Sequence, residues 1–590
     1  MLPLCCHADP ALVLDDPPLL QQLERDGFTF AELVVGRDHA GADNESHYRA
    51  APYRSIADSL AADLQALPRT DRRLGTTMRS PHRLFDARWL RSPAARYELV
   101  GIVNRLDRAP FFPGTCGETR FVYRLAYRKN GAGAAIVYSR LPMTVNVAFF
   151  AERGADDASC RTWAQRWLAL ARELPRQGVA AWGSAGFRRG AFDGGRLKSV
   201  EVNLQSVRWP STVRPDMAGH AEYLLRVFQP EGERYVLAAL ENTPDVPRIA
   251  ADPALKEKLR AWLLAPANHK AVDDGVVQLP AEFLAKRATS VALHGAHRLA
   301  NMPFSQLFSV DDFAGLPYDQ GRHVRSAHGY LRRLNDLSCT GCHQGRTVAG
   351  FHFLGTDRTE TSSVNAIAVS ASPHFLRDQP RRRAYLDAVA SGAAPAMARP
   401  LSVRADDGER DFGSHCGLGD PSFAAWTCRT GLRCEALSKD ELVSRTGVCL
   451  PEKPIAGSAC LPATMVHDPH PHRDRLAAQQ ATSCGAGAVC EQARVGFPGG
   501  MCSHGCAQLA PGETCGAIAI LQGFNDCLAG KNPFAACLSH NVRPAALRSC
   551  SATEHCRDDF ICARTASGAG ACIPPYFLFQ LRLDGHPSPP

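Results

Sequence analysis

"YELVGIVNRL" (97–106), "TRFVYRLAY" (119–127), "AAIVYSRL" (134–141) and "MTVNVAFFAE" (143–152) are four strand-like runs in close succession. Their β-branched and aromatic content fits a pleated sheet. A further strand is expected in "LKSVEVNLQSVRW", and a hairpin in "EYLLRVFQPEGERYVLAAL", turning at Pro230 to Gly232. Between and around them lie helical patterns. "PPLLQQLERDG" starts after proline and stops at Gly27, and "YRSIADSLAADLQAL" sets Ile56, Leu60, Leu64 and Leu67 at helical spacing. "CRTWAQRWLALAREL" puts Trp163, Trp167, Leu170 and Leu174 on one face, which reads as a core stripe. "DPALKEKLRAWLLA" and "PAEFLAKRATSVALHG" are expected to close the region as helices. Strands interrupted by helices without regular alternation predict an α+β fold, an antiparallel sheet with packed helices.

The chain has 590 residues, too many for one core, so two to four domains are expected. Its 45% apolar and 21% charged content is ordinary for a globular protein. A net charge of +8 is spread thinly, and the densest basic cluster, "RDQPRRRAYL" around Arg381, Arg382 and Arg383, reads as a solvated face. Nucleic acid is therefore not an expected partner. There is no phosphate-binding glycine loop and no G-x-S-x-G nucleophile turn. No window of 18 apolar residues exists, so no transmembrane helix is expected and any membrane association is at an outer surface.

The 22 cysteines are unevenly placed: six lie before residue 400, and sixteen fall between Cys416 and Cys572. A dense, even set predicts disulfides, hence an extracytoplasmic setting: periplasm, cell surface or secretion. Cys116 and Cys160 are expected to be able to pair there. The start, "MLPLCCHADPALVLDD", has no basic n-region and too short an apolar core for a clear export signal. The last region repeats itself at 428–449, 484–502 and 556–572: two cysteines with five residues between them, a variable loop, then Gly-x-Cys. With few large apolar residues per unit, cross-links must replace a core.

The pattern with the sharpest chemistry is "LNDLSCTGCHQGRTVAGFHFLG" at 334–355. Cys339 and Cys342 flank two small residues, and His343 follows at once. Covalent haem attachment needs two thiols at the separation of the porphyrin vinyl groups and an imidazole on the same face for the iron. Thr340 and Gly341 are expected to leave room for the ring. Cysteine and histidine each make up about one residue in 27, so a chance C-x-x-C-H is expected roughly 0.03 times. Upstream, "AHGYLRRLNDLS" lays Tyr330, Leu331, Leu334 and Leu337 on a helical stripe. The same residues admit three other readings: a short-loop disulfide, a zinc site of Cys339, Cys342, His343 and His352, or a redox pair.

The C-T-G-C-H after an amphipathic helix resembles the haem-binding segment of c-type cytochromes, over about 100 residues. The resemblance implies covalent haem c, iron held by His343, and assembly outside the cytoplasm. The remainder, including "ELVGIVNRLDRAPFFPGTCGETRFVYRL", resembles large exported bacterial proteins of unassigned function. For the second axial position Met397, His374 and His352 are the candidates, with an open position as the alternative. "MVHDPHPHRD" and "ALHGAHRLANMPF" read as a polar loop and a surface or satisfied histidine pair.

The expected organisation is residues 1–16 as an export remnant or disordered leader and 17–300 as the α+β domain. A small helical cytochrome-like haem segment follows at 301–400, then a linker at 401–415 and cysteine-rich disulfide repeats at 416–590. The expected function is single-electron transfer with an unidentified redox partner, more an electron carrier than a catalyst. The alternatives are a haem-free secreted binding protein with a structural Cys339–Cys342 disulfide, and an extracytoplasmic haem oxidase or peroxidase.

Overall fold

The structure is a computed structural model. It describes residues 9–36, 43–70, 83–130, 136–153, 158–187, 189–192, 196–208, 221–292, 301–343, 353–361, 371–402, 414–436, 445–452, 489–491, 501–503, 549–551, 561–564, 570–573 and 586–590.

The chain opens with strand β1 (Val13–Leu14), then helices α1 (Pro17–Arg25), α2 (Asn44–Arg49) and α3 (Ala51–Thr70). Helix α1 starts on two prolines with Asp16 capping the Leu19 amide, and stops before Gly27, whose φ of +96° suits a glycine. Three long strands follow: β2 (Ala95–Arg105), β3 (Thr115–Asn130) and β4 (Ile136–Glu152). Helices α4 (Ala158–Gln177) and α5 (Ala180–Ser184) lead to β5 (Leu197–Arg208), β6 (Ala221–Glu231) and β7 (Arg234–Ala238). Then come α6 (Val246–Ala251), α7 (Pro253–Leu264), α8 (Pro266–Asp274) and β8 (Ala288–Ala292).

These eight strands form one antiparallel sheet in the order β1 to β7, and β8 pairs with the front half of β6. The fold is α+β, as the strand runs predict. One expected helix is not formed: within "PAEFLAKRATSVALHG" only Ala281–Phe283 makes a 3-10 turn, and Ala288–Ala292 is strand β8. Open edge groups on β6 outweigh the helical propensity of Ala, Glu, Leu and Lys there.

The strands alternate between two faces. Phe121, Tyr123 and Leu125 of β3, Val145, Val147 and Phe149 of β4, and Val200, Val202 and Leu204 of β5 form the apolar face. They share one core with Leu20 and Leu23 of α1, Leu60 and Leu64 of α3, and Trp163, Trp167 and Leu170 of α4. Cys116 and Cys160 form a disulfide that ties the start of β3 to α4. The opposite face carries Arg105, Glu118, Arg120, Arg124, Asn146, Glu201 and Gln205, all buried. Alternation of this kind ordinarily leaves the polar side in water.

That polar face is covered by chain from further on. The Phe353 ring lies over Gly101, where a Cβ would come within 2.2 Å of it. Arg124 donates to the Leu354 carbonyl (3.3 Å) and pairs with Asp357 (3.0 Å). After α9 (Ala327–Leu337) and a 3-10 turn at Cys339–His343 come α10 (Pro373–Arg377) and α11 (Gln379–Ser391). Phe375, Tyr385 and Leu386 of these helices join the sheet's core.

A second core is built from Ile249, Leu259, Leu263, Val272, Phe304, Phe308 and Phe313 with Tyr330, Leu331 and Leu334 of α9. Phe423 and Trp426, from the cysteine-rich region, belong to it. The stretch 301–400 is thus divided between the two cores, and the first cysteine-rich unit is packed onto α9.

The cysteine-rich region contributes β9 (His415–Gly417), β10 (Leu432–Glu435), β11 (Thr446–Pro451), β12 (Val489–Glu491), β13 (Met501–Ser503), β14 (Ser549–Cys550), β15 (Ile561–Arg564) and β16 (Gly570–Ile573). Disulfides join Cys416 to Cys434 and Cys428 to Cys449. The three-stranded sheets are ordered β10-β11-β9 and β14-β16-β15. In the first, Cys416 lies opposite Gly447 and Cys434 opposite Cys449; in the second, Cys550 lies opposite Gly570 and Cys562 opposite Cys572. Cys490 faces Cys502 between β12 and β13 in the same way. Disulfides match an oxidising compartment, and among the described residues no helix is long and apolar enough to cross a membrane.

Candidate functional site

Helix α9 delivers the C-x-x-C-H segment. Ser326 caps its N-terminus by accepting from the Gly329 amide (2.8 Å), and the same hydroxyl donates to the Asp420 carboxylate. At the other end Asn335, almost fully buried, accepts from the Phe304 amide (2.9 Å) and donates to Ser305 Oγ (2.8 Å). The helix ends at Ser338, whose hydroxyl donates back to the Asn335 carbonyl (2.7 Å).

The turn Cys339–His343 then folds against β8 and the loop after β7. The Cys339 amide donates to Thr243 Oγ1 (2.8 Å), and its thiol donates to the Glu241 carbonyl (3.5 Å). Ser290 of β8 donates to the Thr340 carbonyl (3.0 Å). Between Glu241 and Thr243, Asn242 adopts φ +50°, which asparagine tolerates better than most residues. Its amide group bridges to the Val277 carbonyl and the Leu279 amide.

The two small residues of the motif have a different use from the one expected. A Cβ on Gly341 would meet the Asn335 carbonyl oxygen at 2.3 Å, so glycine is required by the close turn against α9. Thr340 is buried, with its hydroxyl against Ser338 Oγ (2.9 Å). Both face protein.

The Cys339 thiol is free. Cys116, Cys160, Cys416, Cys428, Cys434, Cys449 and Cys550 are all disulfide-bonded. Cys339 packs against a small apolar cluster of Leu225, Leu240, Ala285 and Ala288. Burial first, and then the negative charge of Glu241, push its thiol up to about 12.

Beside it runs an ion network on the polar side of the sheet. Glu118, completely buried, meets Arg108 (3.1 Å), Arg120 (2.8 Å) and Lys198 (2.7 Å). Glu201 pairs with Arg120 (3.0 Å) and Lys198 (3.6 Å), and Glu241 pairs with Arg108. Three cations thus meet three carboxylates. Burial alone would raise Glu118, but Arg120, Lys198 and Arg108 hold it well below the usual carboxylate range. Burial opposes ionisation of Glu241 too, yet Arg108 brings it down to about 2.

Of the sequence-predicted site residues, Cys339 is placed with its side chain. Cys342 and His343 have backbone in the 3-10 turn, while their side chains, like all of His352, lie outside the described residues. His374 is buried in α10, next to Phe375 of the sheet's core. Met397 is 44% exposed, two residues before Arg399, which is pinned through its amide to the Asp274 carbonyl (2.8 Å). The histidines of 467–472 and His294 and His297 also lie outside the described residues.

The basic cluster at 381–383 is a solvated face only at Arg383, whose side chain is 42% exposed. Arg382 is 3% exposed and Arg381 is largely buried, because α11 turns them towards Asp107. Nor is the close grouping of Cys416, Cys428 and Cys449 sulfurs a metal centre: all three are in disulfides and have no thiolate to give. Comparisons with protein-family models, curated proteins and solved structures found no match.

Proposed function

We propose that this chain is an exported c-type haem protein that passes single electrons. Cys339 and Cys342 would hold the porphyrin as thioethers and His343 would hold the iron, with Met397, His374 or His352 as the second axial candidate. When bound, the haem would supply one-electron exchange between two iron oxidation states. The observation that carries the reading is the state of Cys339: its thiol is free, whereas Cys116, Cys160, Cys416, Cys428, Cys434, Cys449 and Cys550 are in disulfides.

The donor chemistry fits. A thiol pushed up to about 12 is neutral at physiological pH, and a thioether made from it is neutral as well, so burial opposes neither. Zinc would require thiolate at the same place, beside the Glu241 charge, which burial disfavours. The free Cys339 thiol favours this reading over a structural disulfide. Thr243, Ser290, Ser338 and Asn335 fix the backbone around Cys339 and Thr340, which supports a preset position for the first sulfur.

The sheet domain would dock the redox partner, and the cysteine-rich units would act as one disulfide module in several copies, placed in the periplasm, at the cell surface or beyond it. The equal registers of the cysteines in the two three-stranded sheets support reading the units as copies.

The test is export of the full chain in a host with haem-attachment machinery, followed by a pyridine haemochrome spectrum and intact mass. One haem added to the 339–342 peptide is expected, lost in Cys339→Ser and Cys342→Ser. Colourless wild-type protein of unmodified mass, folded by circular dichroism, would leave the haem-free binding protein as the reading. Cyanide or peroxide shifting the spectrum would move the assignment to an oxidase or peroxidase.

A further inference from the structure

We propose that the arginine cluster around Asp107 binds a phosphate group. Asp107 lies just after β2, in a 3-10 turn, and is itself buried. Four guanidinium groups converge on its carboxylate: Arg105 at 2.9 Å, Arg381 at 3.0 Å, Arg399 at 3.4 Å and Arg382 at 3.9 Å. Arg381 also pairs with Asp378 (2.7 Å). Four positive charges against two negative ones leave an excess of two among these residues. Arg105, Arg382 and Arg399 are 3–5% exposed, so water does little to screen that excess.

The second observation concerns unsatisfied donors. Arg382 Nε and Arg399 Nε are buried and have no hydrogen-bond partner among the described residues. Arg382 Nε faces the Asp107 carboxylate from 3.9 Å, beyond hydrogen-bond reach. The groups are held in place by other contacts: Arg382 Nη2 donates to the Asn104 carbonyl, and its guanidinium lies 5.4 Å from the Phe375 ring. The Arg399 guanidinium lies 5.5 Å from the Phe111 ring. Donors fixed in advance and left unpaired are the arrangement a bound anion would complete.

Position and charge select the anion. Arg381 and Arg382 stand in the first turn of α11, beside its N-cap Asp378, where the positive end of the helix dipole adds to the potential of the guanidinium groups. A phosphate group carries roughly −1.5 to −2 at neutral pH, matching the excess of two, and its oxygens suit forked guanidinium donors. Free phosphate and the phosphate of a small organic ester share this chemistry. The site does not depend on the haem reading.

The experiment uses the full chain, titrated with inorganic phosphate, with glycerol 3-phosphate, and with chloride at matched ionic strength. Phosphate is expected to bind saturably and raise the thermal midpoint by about 3 °C or more above chloride. Arg382→Gln and Arg399→Gln should each weaken binding at least tenfold. Asp107→Asn, which removes negative charge from the centre, should preserve or strengthen it. A response to the ester alone assigns an organic phosphate, and an equal response to both assigns the free ion. Wild-type protein that responds to phosphate no more than to chloride overturns the proposal. So do folded Arg382→Gln and Arg399→Gln variants that bind phosphate like the wild type.

Discussion

Cys339 shows how much a single side chain decides. Its environment of Leu225, Leu240 and Ala288 raises the thiol to about 12, against about 8.5 for an unfolded cysteine. The folded chain therefore holds this proton more tightly than the unfolded one. Stability from this source is complete below about pH 8.5 and declines as pH climbs from there towards 12. Haem-free protein is expected to lose denaturant resistance over that alkaline window more steeply than Cys339→Ala does, read from urea midpoints. Identical slopes would mean that the thiol is not buried. The surroundings of Cys339 teach a related lesson. The motif spacing is legible in sequence, but the partners Glu241 and Thr243 lie about a hundred positions upstream, and only tertiary folding brings them there.

Among the elements, the long strands are legible because β-branched and aromatic residues such as Phe121, Val122, Tyr123 and Tyr127 are dense in them. The burial of the polar side is not. Glu118, Arg120 and Arg124 alternate as solvent-facing residues would, and nothing local announces that Phe353 and Asp357 will cover that face. Strand β8 escaped for a similar reason: five residues rich in alanine give a weak local signal, and the edge of β6 decides them. The cysteine-rich strands allow a prediction that spacing alone does not. Cys550 stands opposite Gly570 as Cys416 stands opposite Gly447, and Cys550 is disulfide-bonded. The register equivalence predicts Cys550–Cys562 and Cys556–Cys572, by analogy with Cys416–Cys434 and Cys428–Cys449. Non-reducing peptide mapping checks this, and recovery of a Cys550–Cys572 link would break the equivalence.

At the level of the whole molecule, the first cysteine-rich unit is part of the interior. Trp426 and Phe423 share a core with Tyr330 and Leu334, Arg332 of α9 donates to Thr446 Oγ1 (2.8 Å), and Ser326 to Asp420. Trp426→Ala is expected to cost about 3–5 kcal/mol, read by denaturant unfolding. It should also speed hydrogen exchange at the amides of Tyr330 to Asn335, although the side chain lies some ninety positions away in sequence. Exchange there that stays at the wild-type rate would show that α9 stands without it.

That shared interior imposes a schedule on the newborn chain. Helix α9 leaves the ribosome well before position 426, so it has no cover of Phe423 and Trp426 when it is first made. That cover is completed when Cys416–Cys434 and Cys428–Cys449 fix the unit that carries the two side chains. Oxidation of the first cysteine-rich unit thereby bears on the packing of a helix about eighty residues earlier.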